Sequence, residues 1–132
     1  MSSTSLTPYK TNSTQETFVL ANESSNGAKW IVAGRSLPCP YSLEQVRKLT
    51  APTATGNDRV ELHLKRVEPN ATSGRLATMS VSLIISIPKD VSVLVPGIQK
   101  EMVAILASLL NEQTAMESTN VKITALTQGT NL

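Results

Sequence analysis

From Arg75 to Ile87, the apolar residues Met79, Val81, Leu83, Ile85 and Ile87 alternate with Thr78, Ser80, Ser82 and Ser86. A period of two predicts a strand with one buried face and one wet, hydroxyl-rich face. The same alternation runs through Arg59–Val67, where Val60, Leu62 and Leu64 point one way and Arg59, Glu61, His63 and Lys65 the other. The short polar loop between them, Pro69 to Gly74, predicts that the two strands pair antiparallel. Further on, Ile98, Met102, Ile105, Leu106 and Leu109 fall on one stripe of a helix, with Pro96 suited to its first turn. Such a stripe must be buried against a sheet or against a partner chain.

Upstream, Thr17–Ala21 and Ala28–Ala33 read as short strands flanking a turn cluster from Asn22 to Gly27. Leu37, Pro38, Cys39 and Pro40 make a stiff extended connector, since neither proline donates to a ladder. Ser42 to Ala51 is ambiguous. Ser42 and Gln45 resemble a capping box and Leu43, Val46 and Leu49 fall at helical spacing, so local pattern leans towards helix. The expected organisation is one domain over residues 1–132. It comprises an arm or irregular edge at 1–16, hairpin and sheet at 17–88, a main helix at 96–112 and a C-terminal element of open type at 113–132.

Composition narrows what this scaffold can do. The chain has 132 residues and only four aromatics, so its core is aliphatic and small, which favours oligomerisation. Twelve Lys and Arg against ten Asp and Glu leave a net charge of +2, so any polyanion site has to be a local patch. The single Cys39 excludes an intrachain disulfide framework and fits a reducing compartment. Met1–Ser5 lacks the marks of a signal peptide, and no apolar run nears the roughly 20 residues that span a bilayer, so no membrane partner is expected.

Candidate chemistry is sparse. One histidine and one cysteine cannot furnish a protein metal centre, and the dispersed glycines form no phosphate loop, so no cofactor is expected. His63 with a serine and Asp58 or Asp90 could be imagined as a hydrolase triad, but no Gly-x-Ser-x-Gly elbow is present. A histidine in mid-strand among charged neighbours reads as a surface residue, and no catalytic residue is assigned. The wet face offers more: Arg59, His63 and Lys65 beside Thr78, Ser80 and Ser82 would suit phosphate and sugar, with Arg47 and Lys48 adding charge if their segment is the next strand. The competing reading is a plain solvated sheet face.

Order and spacing resemble the coat proteins of small single-stranded RNA bacteriophages, the leviviruses. The resemblance is carried by Asn57–Val67, by the strand ending Ile85-Ser86-Ile87-Pro88, by Glu101–Leu110, and by the connector Ala33–Tyr41. It implies an α+β fold with an N-terminal hairpin, a five-stranded antiparallel sheet and a C-terminal helix. Two such subunits would join into a continuous ten-stranded sheet covered by interlocked helices, and Ser42–Ala51 would be a strand. It further implies a homodimer that assembles into an icosahedral shell, typically T=3, in the virion, made in the bacterial host cytoplasm. The partners would be the single-stranded RNA genome and a minor maturation protein.

Matched strand to strand, the RNA contacts implied are Arg47, Arg59, Glu61, His63, Lys65, Ser80 and Ser82. The loop Pro69, Asn70, Ala71, Thr72, Ser73 and Gly74 would meet other dimers at the symmetry axes. Ile98, Met102, Ile105, Leu106 and Leu109 would clasp the second subunit. In several members the inner sheet also binds an RNA hairpin that represses translation. Some of these carry an aromatic and an amide where this chain has Ser80 and Ser82, which points here to general phosphate contact. A small dimeric RNA-binding or regulatory module that forms no shell is the alternative reading.

Overall fold

The computed structural model describes residues 2–8, 14–49, 56–89, 97–110 and 128. β1 is Ser5–Leu6, β2 Phe18–Ser24, β3 Gly27–Ile31, β4 Tyr41–Lys48, β5 Asn57–Pro69 and β6 Leu76–Pro88. Each strand pairs antiparallel with the next in chain order, giving one six-stranded sheet. The described residues form two units. Residues 2–6, 17–49 and 56–89 build the first and contain the whole sheet, while residues 7, 8, 14–16, 97–110 and 128 belong to the second.

The sixth strand, β1, is an edge strand in the stretch read as an arm or irregular edge. Three links stitch it to the hairpin: Leu20 N donates to Thr4 O at 2.9 Å, Trp30 Nε1 to Ser3 O at 2.8 Å, and Ser2 N to Glu23 Oε1 at 2.6 Å. None of these shows in a periodic pattern. The predicted turn at Asn22–Gly27 shrinks to Ser25 and Asn26, because β2 continues past a bulge between Leu20 and Asn22. Gly27 is required here by close approach: a Cβ on it would lie 2.0 Å from the Gln45 carbonyl oxygen.

β4 settles the ambiguous segment as strand up to Lys48, with Thr50 and Ala51 outside the described residues. Ladder pairing from Tyr41↔Arg66 to Lys48↔Arg59 on one side, and to β3 on the other, outweighs a helical spacing that had only local support. The core lies on one face of the sheet, where Phe18, Ala28 and Trp30 are buried and Leu6, Leu20, Val32, Tyr41, Leu43 and Leu64 pack around them. Phe18 meets Tyr41 edge to face, with ring centroids 5.2 Å apart.

Arg35 fastens the β3–β4 connector to the end of β5. Its guanidinium donates to Cys39 O and Val67 O, each at 2.8 Å, and pairs with Glu68 at 2.8 Å. Arg66 and then Arg35 hold the Glu68 carboxyl below the usual carboxylate range. The β5–β6 turn is closed by Asn70, whose Oδ1 accepts from Thr72 N and Ser73 N, and by Gly74 with φ of 71°. In the second unit, α1 spans Ile98–Leu110, with Glu101 in its first turn suited to the helix dipole. Pro96, the residues after 110 in the expected 96–112 helix, and the expected elements at 113–132 lie outside the described residues, Gln128 excepted.

Candidate nucleic-acid interface

Register assigns each side chain to a face, because directly paired residues in an antiparallel sheet share one. On the polar face, Lys48, Arg59 and Ser86 form one row, Val46, Glu61 and Ile84 the next, then Glu44, His63 and Ser82, then Ser42, Lys65 and Ser80. β3 extends the Glu44 row with Lys29. The structure therefore brings together Arg59, Glu61, His63, Lys65, Ser80 and Ser82, six of the seven expected contact residues.

Arg47 is the seventh, and it sits on the opposite face. It pairs with Val60, among the apolar residues, and its Nη2 donates to Ser25 O at 2.7 Å while its backbone N donates to Asn26 O at 2.7 Å. Its work is to clasp the β2–β3 turn. The neighbouring Lys48 takes its place on the polar face, as strict alternation along β4 requires once that segment is a strand. Lys29 and Glu44 also belong to this face and were not singled out from sequence; the same alternation, read outward from buried Ala28 and Trp30, would have found Lys29.

Glu61 is the hub. It is 6 % exposed, yet it is an ion. Its Oε1 lies 2.9 Å from Lys48 Nζ and 3.1 Å from Arg59 Nε, and its Oε2 lies 2.9 Å from His63 Nε2. The hydrogen bond from Lys48 and then that with His63 hold its carboxyl below the usual range, against the opposing pull of desolvation. On the far side of the ring, His63 Nδ1 lies 2.8 Å from Ser82 Oγ. A serine, this histidine and a carboxylate are thus joined, but the carboxylate is Glu61. Asp58 lies on the other face, near Lys89 at 3.5 Å, and Asp90 is outside the described residues.

Two classes of cation result. Lys48 and Arg59 share a carboxylate, whereas Lys29 and Lys65 form no ion pair among the described residues. Three of the four rows set a cation beside a serine, Lys48 and Arg59 with Ser86, Lys29 with Ser82 and Lys65 with Ser80, a surface suited to the backbone of a nucleic acid. No group of three or more metal-ligating side chains occurs among the described residues. No described helix is long and apolar enough to cross a membrane.

The expected dimer surfaces are apolar and open. On β6, Met79, Val81 and Leu83 are exposed, as are Ile98, Met102, Val103, Ile105 and Leu106 on α1; Leu109 is in the helix, its side chain outside the described residues. All six residues of the Pro69–Gly74 loop are exposed.

No protein-family model matches the sequence, and no curated relative matches it. Solved structures do match along the whole chain. The coat protein of bacteriophage EMS014 superposes with a TM-score of 0.74 at 12% identity, covering 100% of this chain and 99% of that one. The virus-like particle of bacteriophage ESE020 gives 0.73 at 14% identity over 99% of each chain. That of Beihai levi-like virus 21 gives 0.69 at 10% identity over 100% and 98%. The chain has the fold found in coat proteins and virus-like particles of levi-like phages, as the sequence resemblance implied.

Proposed function

We propose that this chain is the capsid protein of a single-stranded RNA phage, a non-enzymatic shell subunit in which residues 1–132 act as one coat-protein domain. The observation that carries this reading is the likeness of fold over the full chain to a phage coat protein and to proteins solved as virus-like particles. The edge of the sheet supports dimerisation. β6 is an edge strand, and Leu76–Ile87 contains no charged residue and no proline, the usual blocks to edge pairing. Its exposed Met79, Val81 and Leu83 and the stripe of α1 give a second copy apolar surface to cover.

Pairing of two β6 edges would make one continuous sheet, the ten-stranded sheet of the resemblance enlarged by β1 from each subunit. Its polar face would line the shell and hold genomic RNA through Lys29, Lys48, Arg59, Lys65, Ser80 and Ser82. The Pro69–Gly74 loop would meet neighbouring dimers in the virion. Repression of translation through an RNA hairpin and a place for a minor maturation protein belong to the same reading.

Expression of the chain alone tests it. Uniform shells by electron microscopy, with absorbance showing packaged RNA, are expected; a soluble dimer under every assembly condition overturns the shell. Arg59→Ala with Lys65→Ala should lower packaged RNA and flatten the salt dependence of binding, Lys65 contributing more because no carboxylate offsets it. Unchanged RNA content refutes their role.

A further inference from the structure

Glu61, His63 and Ser82 form a chain of hydrogen bonds whose direction is set by chemistry. Glu61 is ionised, held so by Lys48 and His63, and a carboxylate only accepts. His63 Nε2, 2.9 Å from Glu61 Oε2, must therefore carry the proton when the ring is neutral. Nδ1 is then an acceptor, and Ser82 Oγ, 2.8 Å away, donates its only proton to it. What the exposed Ser82 oxygen turns outward is lone pairs alone. Ser80, one row along opposite Lys65, has no imidazole beside it, and its hydroxyl can turn either way.

We infer that Ser82, oriented by Glu61 and His63, is a specificity-determining acceptor that takes a hydrogen-bond donor from RNA, a 2′-hydroxyl or a base amino group, and not a phosphate oxygen. The inference rests on the RNA-binding reading above. Phosphate oxygens only accept, so they find their partners on Lys65 in the adjacent row and on Arg59 two rows away on the other side. A 2′-hydroxyl donates, and DNA lacks it.

Protonation of the ring reverses the outer bond. Nδ1–H then donates to Ser82 Oγ, the hydroxyl proton turns outward, and phosphate becomes acceptable. The charged groups facing the ring are Glu61 beside it, Glu44 in register on β4 and Lys65 two residues along β5; Lys29 lies beyond Glu44, and Lys48 and Arg59 hold Glu61.

Two measurements on the full chain test this. Nitrogen NMR of the His63 ring in the free protein should show Nε2–H as the neutral tautomer. Binding of short oligoriboadenylate, oligodeoxyadenylate and the purine-riboside analogue at low salt should then reveal a contrast of about three- to tenfold, the effect of one hydrogen bond. RNA tighter than DNA identifies the 2′-hydroxyl as the donor; adenosine tighter than purine riboside identifies the amino group. Ser82→Ala should erase the contrast, and Ser80→Ala should leave it. An Nδ1–H tautomer, or a contrast that survives Ser82→Ala while RNA still binds, overturns the inference and leaves the RNA reading standing. No binding by any oligonucleotide, with the expected tautomer, overturns the RNA reading and the inference with it.

Discussion

Glu61 restrains the surface it organises. Its carboxylate is shared by Lys48, Arg59 and His63, so the two cations proposed for phosphate are partly offset before any ligand arrives. Glu61→Gln should release them: affinity for single-stranded RNA rises at low salt, and the slope of log affinity against log salt steepens by about 0.7 for each cation newly engaged. A slope unchanged from the parent would show that the two cations already reach phosphate. The carboxylate also links stability to pH. Glu61 and Glu68 are both held below the usual carboxylate range when folded. Their contribution is therefore fully present above the unfolded value of about 4.3 and is lost as pH falls through the lower, folded values. Thermal unfolding followed from neutral pH downward should show the midpoint falling below about pH 4, and falling less steeply in Glu61→Gln or Glu68→Gln than in the parent.

At the level of elements, the β2–β3 hairpin is held where side chains and backbone meet at closest range. Gly27→Ala would drive a Cβ into the Gln45 carbonyl across the ladder, and the neighbour is backbone, so the strand has to shift. A loss of about 1–3 kcal/mol is expected by chemical denaturation. Trp30→Ala, which empties the centre of a core with few rings, should cost about 3–5 kcal/mol. Much of this was legible beforehand. The two long strands and the helix followed from period, because their alternation is sustained over many residues and every local signal agrees. β4 did not, since Leu43, Val46 and Leu49 satisfy a helix and only pairing with β3 and β5 decides against it. Arg47 came from matching strand to strand, which fixes the strand but not the parity within it, and a residue's side of a sheet depends on that parity. The Glu61 hub was out of reach for a different reason: alternation places Glu61, His63 and Lys65 in a row but says nothing of which cation bends towards which oxygen. β1 is held by backbone and indole hydrogen bonds that no hydrophobic period records.

For the whole molecule, the uncharged edge of β6 is the feature on which the proposed assembly turns. Val81→Lys sets a charge on its exposed apolar face, a common device for blocking edge association. The expected outcome is a folded chain, with its β-sheet circular dichroism intact, that sizes as a monomer and yields no shells; shells as abundant as the parent's would remove β6 from the interface. The same topology bears on how the chain comes off the ribosome. Because the six strands are neighbours in both sequence and space, every ladder closes locally, which lowers contact order and speeds folding relative to sheets built from distant segments. The sheet can grow one strand at a time as residues emerge. β6, the last of the described strands to be synthesised, completes the edge proposed for assembly only when the chain behind it already has its partners. The edge proposed for assembly thus does not exist until residue 88 of 132 has been made, and the order of synthesis itself delays association through it.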